Sequence, residues 1–213
     1  MRSAINLLRA KSIAAVALAL LGTNAAAPAR AEDAVRAVWQ VQDIYFPYFG
    51  LTTHYSCDGL RDRVRSILKQ LQVRDDYLVN IAGCTEMTGP AWNPSVRMIV
   101  ANAVPATDET AKAFAADPKR AELLARLHKK NKTPTSDAPF DAMTRRVTLH
   151  AKDYAGPGAS GDCELLEQLH RYVLPKLGAT VLRDGVSCTP HQGTVGNPSM
   201  EVELLVAAAP VKS

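Results

Sequence analysis

Downstream of residue 31 the chain has no apolar run long enough to cross a membrane, no C-x-x-C pair and no catalytic signature. Each absence excludes something. Without a second long apolar stretch, nothing after the first segment is expected to stay in a bilayer. Without C-x-x-C, a thioredoxin-like redox site has little support. No G-x-S-x-G, H-E-x-x-H or Walker loop occurs, so no hydrolase elbow, zinc-protease helix or phosphate loop is announced. The sequence gives no evidence for an enzyme and calls for no cofactor, although a missing motif weighs little when catalytic groups converge from distant positions. Charge of one sign is scarce as well. The chain carries 25 Lys+Arg against 21 Asp+Glu. Four of the basic residues, Arg2, Arg9, Lys11 and Arg30, fall in the first 31, which hold no acid. The rest balances at 21 against 21, and no nucleic-acid partner is expected.

Those 31 residues read as a secretory signal. Arg2, Arg9 and Lys11 make a basic start, Ser12 to Gly22 a short apolar core, and "APARA" an A-x-A cleavage site before Glu32. That is the exported pattern, and the core is too short to anchor stably. No cysteine lies near the cut, so no lipid anchor is expected. The chain left behind, residues 32–213, is expected to be periplasmic or secreted and free of a stable membrane anchor.

Alignment of Cys57 with Cys163 brings two similar units into view. "CDGLRDRVRSILKQLQV" (57–73) faces "CELLEQLHRYVLPKLGA" (163–179). Leu60 meets Leu166, Ile67 meets Val173, Leu68 meets Leu174 and Leu71 meets Leu177, all at helical spacing. Ser56 and Asp162 stand where N-caps belong. Cys84-Thr85 and Cys188-Thr189 are each followed, seven residues later, by Asn-Pro-Ser (93–95 and 197–199) and then an apolar run. The period is about 105 residues, a two-fold duplication rather than a solenoid.

Each unit reads strand, helix, strand, strand: 37–46, the helix, 77–83 and 96–104, then 145–151, the helix, 180–187 and 200–208. Val38, Gln40, Gln42 and Ile44 are read as one alternating set of a half-buried strand. The expected fold class is α+β: two pseudo-symmetric βαββ units, with their helices on one face of an antiparallel or mixed sheet. A pair of independent domains is the alternative. The organisation follows as a signal over 1–31, one repeat over 32–106, a helical connector and linker over 107–140, and a second repeat over 141–213. In the connector, Asp117 and Pro118 open a helix whose apolar stripe is Leu123, Leu124 and Leu127. Lys119, Arg120, Arg126, Lys129 and Lys130 make its other face basic, a solvated surface or a patch for an acidic partner or lipid surface.

Four cysteines in an exported chain point to two disulfides, and three pairings are open. A helix of about 15 residues climbs roughly 22 Å and a strand of about seven returns roughly 23 Å. Cys84 should therefore come back beside Cys57, and Cys188 beside Cys163. Each bridge closes a loop of about 26 to 28 residues, worth roughly 3 kcal/mol in the loop-entropy account.

The remaining candidates are few. His54 and His150 sit near the segments entering the two helices, where a pseudo-two-fold axis would bring them together as a metal or anion site. Trp92 lies in a Gly/Pro loop and is a candidate contact residue. His170, at an apolar helical position, suits a partly buried histidine with a partner. Gly156 to Gly161 spells G-x-G-x-x-G, but Lys152 to Ala155 separate it from the preceding strand, so a dinucleotide turn is not expected. "GDCELLEQLHRYVLPKLGA" and "THYSCDGLRDRVRSILKQL" resemble stretches of exported bacterial proteins with no assigned activity. The resemblance spans most of the chain after the signal and implies a bacterial, periplasmic origin. The expected function is a non-catalytic, disulfide-stabilised binding module of the envelope, its partner another protein or a surface component. A small-ligand or metal binder using His54 and His150 is the alternative, and a thiol-active enzyme a third.

Overall fold

The computed structural model describes residues 34–51, 54–84, 93–130, 138–151, 162–189, 191–192 and 196–208. The expected signal, Trp92, the 133–137 part of the linker and the G-x-G-x-x-G loop lie outside the described residues. In chain order the elements are β1 (Val35–Pro47), α1 (Cys57–Gln70), β2 (Leu78–Ala82), β3 (Ser95–Pro105), α2 (Asp108–Ala116), α3 (Arg120–Lys130), β4 (Phe140–His150), α4 (Cys163–Tyr172), β5 (Thr180–Asp184) and β6 (Ser199–Ala207). The fold is α+β. Its six strands form one open sheet in the order β2-β3-β1-β4-β6-β5, and every neighbouring pair is antiparallel.

The two amphipathic helices form where the apolar spacing places them. Leu60, Val64, Ile67 and Leu68 of α1 are buried, as are Leu165, Leu166 and Leu169 of α4. Both helices cover the same face of the sheet. There they share one core with Ile44, Phe46, Val96, Met98 and Val100 of the first half, and with Leu149, Met200, Val202 and Leu204 of the second. Both helices also end alike. Gln72 and Gly178 take positive φ (52° and 67°), and paired bonds Val73 N–H to Leu68 O and Ala179 N–H to Leu174 O close the ends. This is the Schellman arrangement, which satisfies carbonyls the helix leaves over. Regular α4 stops at Tyr172, shorter than the apolar run to Ala179 suggests. Pro175 has no N–H to donate and its ring crowds the carbonyl four residues back, so the last turn is irregular, with Leu174 N–H donating to Leu169 O five residues back.

The outer face of the sheet departs from the sequence expectation. Ala37, Trp39 and Val41 are buried there beneath Leu123 and Leu127 of α3, while Ile44 and Phe46 are buried on the opposite face. β1 is therefore covered on both sides in succession, and the set Val38, Gln40, Gln42, Ile44 is not its main apolar face. The two repeat helices share one face as expected, and the connector helix α3 packs on the other. The connector also holds an extra helix, α2, capped by the Thr107 side chain accepting the Thr110 N–H. β4 starts at Phe140, five residues before the expected run, because Phe140 stacks on Trp39 with ring centroids 4.3 Å apart.

Candidate functional site

β1 and β4 share only three register pairs, Val35 with Ala142, Arg36 with Asp141 and Ala37 with Phe140. The pairing ends at Ala37 because β4 begins at Phe140 and runs the opposite way, each strand being paired on its other side, β1 with β3 and β4 with β6. Among the described residues, no strand pairs with the rest of β1 on this side. Arg36 O accepts from Ala106 N–H, and Tyr48 N–H donates to Pro94 O, so even-numbered positions of β1 turn their backbone groups toward β3. Odd-numbered positions turn theirs away. Trp39 O points outward and accepts from Arg120 Nη1 at 3.1 Å. Val41 and Asp43 present N–H and C=O groups to an open groove of about 540 Å³.

The groove has walls because two side-chain networks pin the chain on either side of β1. On the core side, Gln42 Nε2 donates to Asn102 Oδ1 and to Lys176 O, and the buried Asn102 donates to Leu177 O at 3.1 Å. Those bonds clamp the turn after α4 against the first half and bring Lys176 to the groove. On the outer side, α3 is held by Leu123 and Leu127, by the Arg120 bond to Trp39, and by Asp117 Oδ1 accepting the Lys119 N–H at 2.9 Å. Its Lys119, Glu122 and Arg126 line the groove. On the floor, Arg97 grips Asp43 with three N–H···O contacts of 2.5 to 3.1 Å. Those bonds hold the Asp43 carboxyl below its usual range, with Arg126 and Lys119 adding to the effect.

The sequence candidates distribute elsewhere. Cys57 bridges Cys84 and Cys163 bridges Cys188, with Cα atoms 6.2 and 5.8 Å apart; no cysteine is left free. This is the pairing reached by counting helix rise against strand return. His54 is exposed and lines a pocket of about 140 Å³ with Tyr48, Phe49, Gly50, Leu51, Asn93 and Pro94. His150 does not line that pocket; its Nδ1 lies 3.4 Å from Asn197 Nδ2. Among the described residues, no three His, Cys, Asp or Glu side chains stand close enough to hold a metal ion. His170 pairs with Asp184 at 3.1 Å. Ser56 caps α1 by accepting the Gly59 N–H, whereas Asp162 occupies the same position on α4 without a side-chain cap bond. Asp162 is buried, its Oδ2 lacks a hydrogen bond, and Arg63 Nε stands 3.8 Å away. Burial pushes its carboxyl up to about 7.

Lys119 and Arg126 were legible as the basic face of the connector helix. Lys176, Gln42, Asn102 and the Arg97–Asp43 pair were not. Each acquires its role through strand register or a long-range clamp, and no local spacing announces either. No protein-family model, curated protein or solved structure matches the chain.

Proposed function

We propose that the chain is a non-catalytic binding module, exported to the bacterial envelope, which takes an extended segment of a partner protein along the edge of β1 that no described strand covers. The observation that carries this reading is the three-pair overlap of β1 with β4, which ends at Ala37 because β4 begins at Phe140. It leaves the outward N–H and C=O groups of Val41 and Asp43 facing a walled groove. Unpaired strand edges are templates for another strand, and strand addition obtains affinity from main-chain hydrogen bonds and specificity from pockets for alternate side chains. The sheet's outer edges fit the role less well, because β2 and β5 have five residues each and β5 carries a register shift. Two disulfides suit a scaffold folded in an oxidising compartment. Among the described residues no helix is long and apolar enough to cross a membrane.

The test uses Asp43→Pro. Its backbone N–H faces the groove, so proline there removes an edge donor and leaves the β1–β3 ladder intact. The wild-type protein is expected to capture a partner from envelope extract that the variant loses, with the amides of Val41 and Asp43 gaining hydrogen-exchange protection in the complex. Equal capture by a variant of unchanged melting behaviour would remove the reading.

A small ligand beside His54 is the second reading, favoured only by the pocket there. Its volume of about 140 Å³ is below the roughly 300 Å³ at which drug-sized ligands are usually held, so it suits an ion or a single side chain. Metal analysis of untagged protein with a His54→Ala control tests it, and an equally low metal content in both would set the metal version aside.

A further inference from the structure

Three cations border that edge of β1 with no ion pair among the described residues. Lys119 and Arg126 come from α3 on one side, and Lys176 from the turn after α4 on the other. Among the described residues, Asp43 is the acid of the same groove that forms an ion pair. Asp43 is held by Arg97, Asp117 accepts the Lys119 backbone N–H, and Glu122 acts electrostatically on Arg97. The lining holds four cations, Arg97, Lys119, Arg126 and Lys176, against three acids, so one positive charge is in excess.

A strand laid along β1 turns successive side chains to opposite faces of the sheet. One alternate set meets Lys119 and Arg126, and the other meets Lys176 beside Gln40 and Gln42. Both sets therefore see a cation. We infer that the groove selects an extended polypeptide segment bearing acidic side chains, held by main-chain bonds to Val41 and Asp43 and by Lys119, Arg126 and Lys176. The inference rests on the strand-edge reading above and adds the chemistry of the partner. A second copy of this chain is a poor occupant, because its β1 edge brings the same three cations. A nucleic acid cannot complete a β ladder. The gain from matched charge is expected in selectivity and in the rate of encounter.

The experiment titrates the exported, disulfide-bonded protein with three blocked eight-residue peptides that alternate valine with glutamate, glutamine or lysine. Binding is read by fluorescence anisotropy, and its place by exchange protection at Val41 and Asp43. The glutamate peptide is expected to bind at least about tenfold more tightly than the lysine peptide, with the preference shrinking at high salt. Lys119→Glu, Arg126→Glu and Lys176→Glu combined should reverse the order while the melting temperature holds. Because those side chains are at the surface, Lys119→Gln with Lys176→Gln serves as a milder check that the fold is kept. If all three peptides protect Val41 and Asp43 equally, the acidic preference is wrong and the strand-edge reading stands. If none protects them, the strand-edge reading falls and this inference with it. Protection by the glutamate peptide that survives unchanged in the triple variant would likewise overturn the assignment to these three cations.

Discussion

Residues 35–105 and 140–207 have several local features in common, yet they are finished differently. In each half a buried cysteine opens the helix and is bridged to a half-buried cysteine beyond the following strand. In each the residue after the first strand donates to the proline of Asn-Pro-Ser, Tyr48 to Pro94 and Ala151 to Pro198. The differences lie on the outer face and at the helix starts. The first half is roofed by α3, which buries Trp39; the second leaves Thr144 and Arg146 of β4 exposed. The first helix has a satisfied serine cap, while the second begins on a buried carboxyl without one. The lesson is that a strand edge becomes a groove only when something stands beside it. Among the described residues, both inner strands lack a partner on their inner sides beyond their three shared pairs, and β1 gains an outer wall from α3.

Removing the roof contact should break the comparison most sharply. Trp39→Ala, which empties a site under Leu127 and Phe140, is expected to cost about 4 kcal/mol by chemical denaturation. Thr144→Ala, on the uncovered outer face of the other half, should change stability by less than about 0.5 kcal/mol. Comparable losses at the two positions would mean the second half is covered too.

The disulfides should behave alike. Loops of 27 and 25 residues separate the two pairs, so replacing either pair by serine should cost roughly 3 kcal/mol, equal within a few tenths. A large inequality in urea midpoints would show that one half carries more of the native strain or more residual unfolded structure.

The caps should differ in their response to pH. The folded Asp162 carboxyl is raised from 3.8 to about 7 by burial, so the native state holds its proton more tightly than the unfolded chain. The stability linked to that proton is full below about pH 4 and is lost as pH rises through about 7. Asp162→Asn should therefore flatten that part of the stability profile between pH 4 and 7 and raise stability at pH 8 by on the order of 2 kcal/mol. Ser56→Ala should instead cost about 1 kcal/mol at every pH. An unchanged pH profile in Asp162→Asn would show that another group sets it.

The helix ends give the smallest contrast. Gln72 and Gly178 hold corresponding positive-φ positions. Gln72→Gly is expected to stabilise by about 0.5 kcal/mol and Gly178→Ala to destabilise by about 1 kcal/mol. Thermal melts that moved the same way for both would deny the equivalence of the two turns.

Much of the fold was legible locally. The apolar spacing of Leu60 to Leu71 and Leu166 to Leu177 gave the helices, the runs after Asn-Pro-Ser gave β3 and β6, and counting rise gave the disulfide partners. α2 was missed, although Thr107 before Asp108 and Glu109 is a helix-start signal. The candidate groove was legible only as the basic face of α3. His54 and His150 looked equivalent in sequence, yet they sit by different structures, His54 in a loop pocket and His150 on Asn197. Strand β1 was misread because alternation reports one buried face, and β1 changes its buried face between Val41 and Ile44.

The amino-acid sequence by itself determined the two helices, the six strands and the cysteine pairing, because caps, periodicity and rise per residue act over a few residues at a time. Only the tertiary structure decided that β1 and β4 share three pairs, that α3 crosses to the outer face, and that Lys176 joins Lys119 and Arg126 beside the β1 edge. Those outcomes depend on which distant surfaces bury each other, Trp39 under Leu127 and Gln42 against the turn at Lys176, and burial between distant residues leaves no periodic trace in the chain.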